Sequence, residues 1–412
     1  MRDARCPSAT LMKQTQQPTR WRIADYLDLG IIGATHGLSD GFSGMLKPVL
    51  VLIVVDLGLS TFEAGTLLSA FSVATFLFLY PISLLADYGG RKKEILLVGL
   101  TITTLAFLGM QWSTTFGTLA ILAFLAGMGN ATFHPCGTAL TTERFPHNRS
   151  FAVSFFSMMG NAGASFMPAI QALIATAVGW RLAITISTSP ALLLLPLMGI
   201  RFQNQTVASE TESLKAAIRS MGQLTQQVLR NRSVVLLATI YALAGMASSI
   251  VTGFLSLLAR DTFSFDIRTV GFALTTYYFA GALAKPIMGY LYDRWGARTS
   301  LITPLLLSGV LTLAVTLTPW EVSFIPLVAL LGITVPISPI ILTAAADRSA
   351  PEVMASSVGL IYTCYGLGFI SPLIGGWLAE LSSLSVSYLF AAFLFWIGAS
   401  ITLLLPKQGD NK

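Results

Sequence analysis

The sequence predicts an all-α membrane protein of twelve transmembrane helices, arranged as two pseudo-symmetric bundles of six. Its composition is the first reason: of 412 residues, 54% are hydrophobic and only 11% are charged, whereas soluble domains carry about a quarter charged residues. The second reason is that apolar runs of about twenty residues recur, each long enough as a helix to cross a hydrocarbon core of about 30 Å. The third is an internal repeat that relates the two halves.

The predicted spans follow one another along the whole chain. A transmembrane barrel would alternate apolar and polar residues over about ten positions, and these runs do not alternate, so helices are predicted. The first twenty residues lack the apolar core of a cleaved signal, and the first span is expected to be retained. The spans cover residues 28–55, 62–86, 94–112, 116–143, 150–178, 181–202, 232–259, 269–292, 299–318, 322–346, 353–380 and 384–406.

Positive charge is distributed unevenly between the two sides of the predicted membrane. Most of the 25 Lys and Arg fall in the tails and the even-numbered loops, and only Arg181, Arg260 and Arg268 fall in the odd-numbered ones. Because positive loops stay on the cytoplasmic side, both termini are predicted there. The net charge of +6 is then a topology signal, and no nucleic-acid partner is predicted. The predicted segments are an N-terminal tail, a first bundle, a linker, a second bundle and a C-terminal tail, at 1–27, 28–202, 203–231, 232–406 and 407–412.

The chain lacks the sequence marks of several other protein classes. Cys6, Cys136 and Cys364 are scattered, so neither a disulfide framework nor a CxxC metal site is predicted. A phosphate-binding GxxxxGK[ST] motif is missing from the sequence, so ATP-driven transport by this chain alone is not supported. We therefore predict no cofactor and no enzymatic activity.

A shift of about 205 residues places one half of the chain over the other. It lays "GMGNATFHPCGTALTTERFP" at 127–146 over "GITVPISPIILTAAADRSAP" at 332–351, matching Gly127 with Gly332. The same shift plus one lays "DYGGRKK" at Asp87 over "DRWGART" at Asp293. Repeated helical bundles of this kind are typical of secondary transporters.

The two loop segments "SLLADYGGRKK" and "GYLYDRWGART" resemble the loop signature of the major facilitator superfamily. The resemblance implies two bundles that rock about a central site, exposing it alternately to either side. In that family the loop latches the bundles together and controls their movement. The matching gating positions are Asp87, Gly90, Arg91, Gly289, Asp293, Gly296 and Arg298.

Ionisable residues inside the spans are candidates for function, because a charge in the bilayer costs several kcal/mol unless it faces protein or water. His36, Asp40 and Lys47 fall on one face of span one. Asp40 is expected near the middle of the membrane, with His36 about 8 Å and His134 of span four about 6–7 Å to the cytoplasmic side. Imidazole and buried carboxyl groups exchange protons near neutral pH, which suits proton coupling. Lys285 of span eight is expected at a similar depth.

Structural roles are the alternative for each of these side chains. His36 and Asp40 would then bond each other, and His134 would fill a gap at the Pro135 kink. The lysines either attract an anionic solute or, for Lys47, extend towards the outer surface. His and Asp are also acceptable metal ligands. The spacing does not show that they converge, and no metal site is predicted.

Motifs in spans one, four and five look like the fosmidomycin resistance protein branch of the superfamily, an efflux group. They read "THGLSD", "GMGNATFHP" and "SFFSMMGNAGASFMP". The resemblance adds Asn161 to the candidate proton or substrate positions. The matching positions are His36, Asp40, Phe133, His134, Pro135, Asn161, Gly163, Ser165 and Pro168.

The predicted function is secondary active transport by alternating access, as proton-coupled export of a small organic solute. Predicted partners are that solute, protons and the lipid bilayer, with the chain acting as a monomer in the bacterial inner membrane. One alternative is uptake of a nutrient, anion or metal ion by symport or facilitated diffusion. Another is a membrane enzyme or non-transporting receptor, which would require a catalytic pair or an extended soluble domain.

Overall fold

The computed structural model describes most of the chain and leaves out the tails and most of the linker. The predicted N-terminal tail up to residue 21, Gly90, linker residues 204–225 and the C-terminal tail lie outside the described residues. The linker boundaries therefore stay predictions. Within the described part every regular element is a helix. The described residues are 22–89, 91–146, 148–203, 226–349 and 354–406.

In the described residues eight helices form the first bundle and seven form the second, because several predicted spans are broken into two pieces. The first bundle contains α1 (Ile23–Gly44), α2 (Leu46–Leu57), α3 (Thr61–Gly89), α4 (Lys92–Gly109), α5 (Phe116–Asn130), α6 (Phe133–Arg144), α7 (Arg149–Thr188) and α8 (Pro190–Arg201). The second contains α9 (Arg232–Phe263), α10 (Ile267–Leu317), α11 (Glu321–Thr334), α12 (Ser338–Asp347), α13 (Met354–Gly366), α14 (Ser371–Leu381) and α15 (Leu384–Thr402).

Nine helical segments in the described residues are long and apolar enough to cross a membrane, or ten if the bent pair α1 and α2 is counted as one span. Two of them are 51 residues long: Phe151–Arg201, which joins most of α7 to α8, and Ile267–Leu317, which is α10. At 1.5 Å per residue each measures about 76 Å, more than twice a hydrocarbon core. Gly179 and Gly296 interrupt them in the left-handed region, at φ 78° and 68°. If the bent pair is counted as one span and each of these two segments as two crossings, the described residues give twelve crossings.

Ion pairs mark the two ends of the first bundle. Where α1 begins and α6 and α8 end, the carboxylate of Asp28 accepts hydrogen bonds from Nε of Arg144 at 2.8 Å and from Nε of Arg201 at 2.6 Å. We call this end the near face. At the opposite end Arg181, after the Gly179 bend, donates to Asp56 near the end of α2. We call this end the far face, and α9 ends there beside Asp56.

Contacts between the two bundles run along their far-face halves. Phe62 at the start of α3 donates its backbone N–H to Glu380 of α14 at 3.0 Å. On the other side of the molecule, the backbone N–H of Ala169 in α7 donates to Oγ1 of Thr275 in α10 at 3.1 Å. A Cβ on Gly271 of α10 would lie 2.8 Å from a backbone oxygen of α7. The bundles therefore meet by close backbone packing, which small residues permit.

The internal repeat is visible in the packing of matched glycines. A methyl group on Gly127 of α5 would overlap the backbone of Phe71 in α3, and one on Gly332 of α11 would overlap the backbone of Tyr277 in α10. These two contacts are related by shifts of 205 and 206 residues. The matched spans are also broken at matched places, at residues 131–132 and at residues 335–337. The predicted correspondence of the two halves thus extends to individual helix contacts.

Candidate functional site

Asp40 lies between two histidines at the centre of the first bundle. Its Oδ2 is 3.4 Å from Nε2 of His36, one helical turn earlier in α1. Its Oδ1 is 3.3 Å from Nε2 of His134 in α6. The two imidazole rings are 5.2 Å apart and nearly perpendicular. The structure therefore brings together three side chains whose convergence the sequence spacing did not reveal.

His36 is held rigidly on three sides. Its ring stacks on Phe156 at a centroid distance of 3.8 Å and on Phe133 at 5.4 Å. Its Nδ1 lies 2.7 Å from the carbonyl oxygen of Phe156. Because a carbonyl oxygen only accepts, Nδ1 carries a hydrogen, and in the neutral ring Nε2 then carries a lone pair. That Nε2 is buried and has no hydrogen-bond partner among the described residues.

Two local features of the chain place these groups next to each other. Gly160 of α7 packs against the pair, since a Cβ there would lie 2.5 Å from Oδ2 of Asp40 and 2.6 Å from Cε1 of His36. The break between α5 and α6 puts His134 in the first turn of α6. Pro135 follows it there, where its missing N–H costs no helical hydrogen bond.

Exposure falls stepwise through the cluster. The side chain of His134 is 50% exposed, that of Asp40 is 20% exposed and that of His36 is 5% exposed. The arrangement therefore connects an accessible imidazole, through a carboxylate, to a buried one.

The two intramembrane lysines each reach across to the opposite bundle. Nζ of Lys47 in α2 donates to Oη of Tyr278 at 2.6 Å and to Oγ1 of Thr252 at 3.2 Å. Nζ of Lys285 in α10 donates to Oδ1 of Asn161 in α7 at 3.2 Å. Extension of Lys47 to the outer surface is thus not what the structure shows. Both ammonium groups lie between the bundles, where an anionic solute would be attracted.

A cavity of about 210 Å³ lies between the bundles. Asn161 and Lys285 contribute to its wall, and most of the other lining residues come from α9 to α13. Four tyrosines line it, which sequence reasoning missed, although tyrosines within apolar runs such as "TTYYFAG" were a usable signal. They are Tyr241, Tyr277, Tyr278 and Tyr365.

The predicted gating loops lie at the near face. Gly90 is outside the described residues and nothing is described for the side chain of Asp87, while Arg91 immediately precedes α4. In the second copy Gly296 has φ 68°, a conformation that side chains rarely adopt. Asp293 is exposed one turn before it. In the second half of the chain, the positive φ angle therefore explains why the motif has a glycine at position 296.

The other two predicted loop residues flank the Gly296 bend. A Cβ on Gly289 would meet nothing within 4 Å, so close packing does not explain that glycine. Arg298 is partly buried just beyond the bend. Across the same bend, Oγ of Ser300 donates to the carbonyl oxygen of Leu291 at 2.8 Å.

Comparison with known proteins agrees with this architecture. The model of the Major Facilitator Superfamily matches residues 32–258 and 237–412. The chain is 25% identical over 388 residues to the uncharacterized MFS-type transporter YfnC of Bacillus subtilis and 22% identical over 402 residues to the fosmidomycin resistance protein of Escherichia coli, covering 93% of both chains in each case.

A solved structure also shares the fold. A bacterial homologue of the human lysosomal transporter Spinster, in an inward-facing and occupied conformation, superposes with a TM-score of 0.80. The alignment covers 94% of this chain and 97% of that one at 13% identity. The predicted fold class is confirmed. The chain belongs to the Major Facilitator Superfamily, whose members are membrane transporters of small solutes and not enzymes.

Proposed function

We propose that the protein exports a small organic solute in exchange for protons and that Asp40 carries the proton. The observation on which this depends is the position of the Asp40 carboxylate between two imidazoles of unequal exposure. A proton that arrives at His134 has a carboxylate 3.3 Å away to receive it. Charging or neutralising Asp40 then alters its attraction to groups across the cavity.

Lys285 couples this cluster to the opposite bundle. It interacts electrostatically with Asp40 and is held by Asn161, so it joins α10 to α7 beside the proton site. Protonation of Asp40 removes one negative charge and weakens the attraction between the bundles at this point. An incoming proton would thus favour separation of the bundles here, which is the change that alternating access requires.

Export is supported by the name of one relative, and the cavity lining indicates the kind of solute. One relative is named fosmidomycin resistance protein, and removal of the compound from the cell is a way in which a membrane transporter confers resistance. Tyrosines and two lysines in the intervening space suit a solute with both apolar and anionic parts. We further propose the bacterial inner membrane as location, with the near face cytoplasmic, since Arg144, Arg201 and Lys92 lie there.

Fosmidomycin is the probe of choice for a direct test. The chain is expressed in a fosmidomycin-sensitive bacterium, and the minimal inhibitory concentration is measured for the wild type, Asp40→Asn and Asp266→Asn. Asp266 caps α10 outside the site, and Asn preserves such a cap. We expect resistance from the wild type and the control only. If no resistance appears, the same variants are screened with a solute panel in everted vesicles under an imposed pH gradient.

The vesicle experiment also decides the direction of transport. Accumulation in everted vesicles that collapses with the pH gradient supports proton-coupled export. Transport that ignores the gradient, with Asp40→Asn equal to the wild type, would refute the proposal. Accumulation in right-side-out vesicles alone would indicate uptake instead.

A further inference from the structure

We propose that His36, Asp40 and His134 form a binding site for a divalent transition-metal ion of the zinc class. One ligand atom from each of the three lies within 4.8 Å of those of the other two. The site joins α1 to α6 and lies beside Asn161 and Lys285 of the central cavity. The basis for this site is the geometry of the three side chains, and it does not require that the ion be a transported solute.

The separations between the ligand atoms fit a tetrahedral ion. Zinc binds imidazole nitrogen at about 2.0–2.1 Å and carboxylate oxygen at about 2.0–2.2 Å, so two ligands at a tetrahedral angle lie about 3.3–3.5 Å apart. Nε2 of His36 lies 3.4 Å from Oδ2 of Asp40 and Nε2 of His134 lies 3.3 Å from Oδ1, so each imidazole is at a tetrahedral separation from one of the two carboxylate oxygens. For a single carboxylate oxygen to serve both imidazoles, His134 has to move closer to Oδ2 and to His36. His134 has room to do so because its side chain is half exposed.

The protonation of His36 gives an independent reason for a cation. Nδ1 is committed as the donor to the carbonyl oxygen of Phe156, which leaves Nε2 of the neutral ring with a lone pair, 3.4 Å from Oδ2 of Asp40. A lone pair and a carboxylate oxygen at 3.4 Å repel each other unless a proton or a metal ion lies between them. A backbone carbonyl that fixes the tautomer of a histidine is also the usual outer partner of metal-binding histidines. Nε2 is buried, with no hydrogen-bond partner among the described residues.

The ligand types select the class of ion. Two imidazoles and one carboxylate suit zinc, nickel, iron and copper, whereas magnesium and calcium require an oxygen-rich shell. Three protein ligands leave one tetrahedral position free. A donor atom of water or of a solute in the cavity would complete the shell there.

Metal ions and protons would compete for the same ligand atoms. The proposed metal site nevertheless does not depend on the proposed proton coupling, because metal binding can be measured without transport. Metal binding needs neutral histidines and an ionised carboxylate, and acid therefore weakens it. If transport proves to be proton-independent, a metal site remains measurable on the purified protein. If metal binding fails, the proton role of Asp40 is unaffected.

The test measures Zn²⁺ binding to the purified full chain in detergent by isothermal titration calorimetry. One equivalent is expected for the wild type. His134→Ala and Asp40→Asn should weaken binding at least about tenfold. His147→Ala, which removes the remaining histidine of the chain, should bind as the wild type does. His134→Ala is the preferred variant because that side chain is half exposed, and the thermal midpoint without metal checks its folding.

A second measurement reads the ligands themselves. Co²⁺ in place of Zn²⁺ should give the intense visible absorption of a tetrahedral site, and His134→Ala should abolish it. The proposal is overturned if the wild type binds no Zn²⁺ at micromolar concentration. It is equally overturned if His134→Ala and Asp40→Asn retain wild-type binding, because the metal would then be held elsewhere.

Discussion

Replacing Gly163 of α7 by alanine should weaken the packing that holds the site together. A methyl group there would lie 2.7 Å from Cα of Gly37 in α1 and would overlap the carbonyl of the same residue. These are backbone atoms, so the two helices must separate by about 1 Å or more to reach an ordinary contact distance. Overpacking of this kind costs about 1–3 kcal/mol, against a gain of up to about 1 kcal/mol from the better helix propensity of alanine.

Gly30→Ala is the matched control, because it adds the same methyl group to α1 where nothing lies within 4 Å. The control keeps only the propensity gain of up to about 1 kcal/mol. The two variants should thus differ in stability by about 1–3 kcal/mol. Thermal midpoints of both purified variants in the same detergent provide the assay. Equal midpoints, or a higher one for Gly163→Ala, would refute the close-packing argument.

Three further predictions concern the site, the near face and a helix cap. Gly160→Ala would place its Cβ 2.5 Å from Oδ2 of Asp40, so the carboxylate has to move and transport should fall at least about tenfold. The thermal midpoint should stay within a few degrees of that of the wild type, and unchanged transport would count against the site. Arg201→Ala should lower the stability by about 1–3 kcal/mol in chemical unfolding, because it removes one partner of the buried Asp28 carboxylate; Arg201→Lys should recover part of the loss. The side-chain hydroxyl and the backbone N–H of Thr269, one turn further along α10, donate to the carboxylate of Asp266 and lower its pKa. The stability that these hydrogen bonds contribute is fully present above the pKa of the unfolded state, near 3.8, and is lost as pH falls through the lower pKa of the folded state. Thermal midpoints should therefore decline more steeply in acid for the wild type than for Asp266→Asn. Parallel curves for the two proteins would contradict this.

Much of the fold could be predicted because the bilayer imposes long apolar helices and positive loops. The repeat between Gly127 and Gly332 was visible in the sequence, since close packing requires a small residue at both places. Breaks within single spans were harder to predict, because apolar residues continue through them. The break at residues 131–132 was indicated only by Pro135.

His36, Asp40 and His134 were predicted individually but not as a cluster, and the tyrosines of the cavity were not predicted. Asp40 and His36 share a helical turn, which the sequence shows, whereas the contact with His134 depends on how α6 packs against α1. The partners of Lys47 and Lys285 are more than a hundred residues away in sequence. No spacing rule within one helix predicts such contacts, because they arise where the two bundles meet.

The central claim is that Asp40 carries the proton that drives transport. The most direct measurement is solute-dependent proton movement in proteoliposomes with a pH-sensitive dye inside, for the wild type, Asp40→Asn and the control Asp266→Asn. The account predicts that adding a transported solute shifts the internal pH for the wild type and the control, and that Asp40→Asn gives no shift. A wild-type pH shift with Asp40→Asn would contradict it.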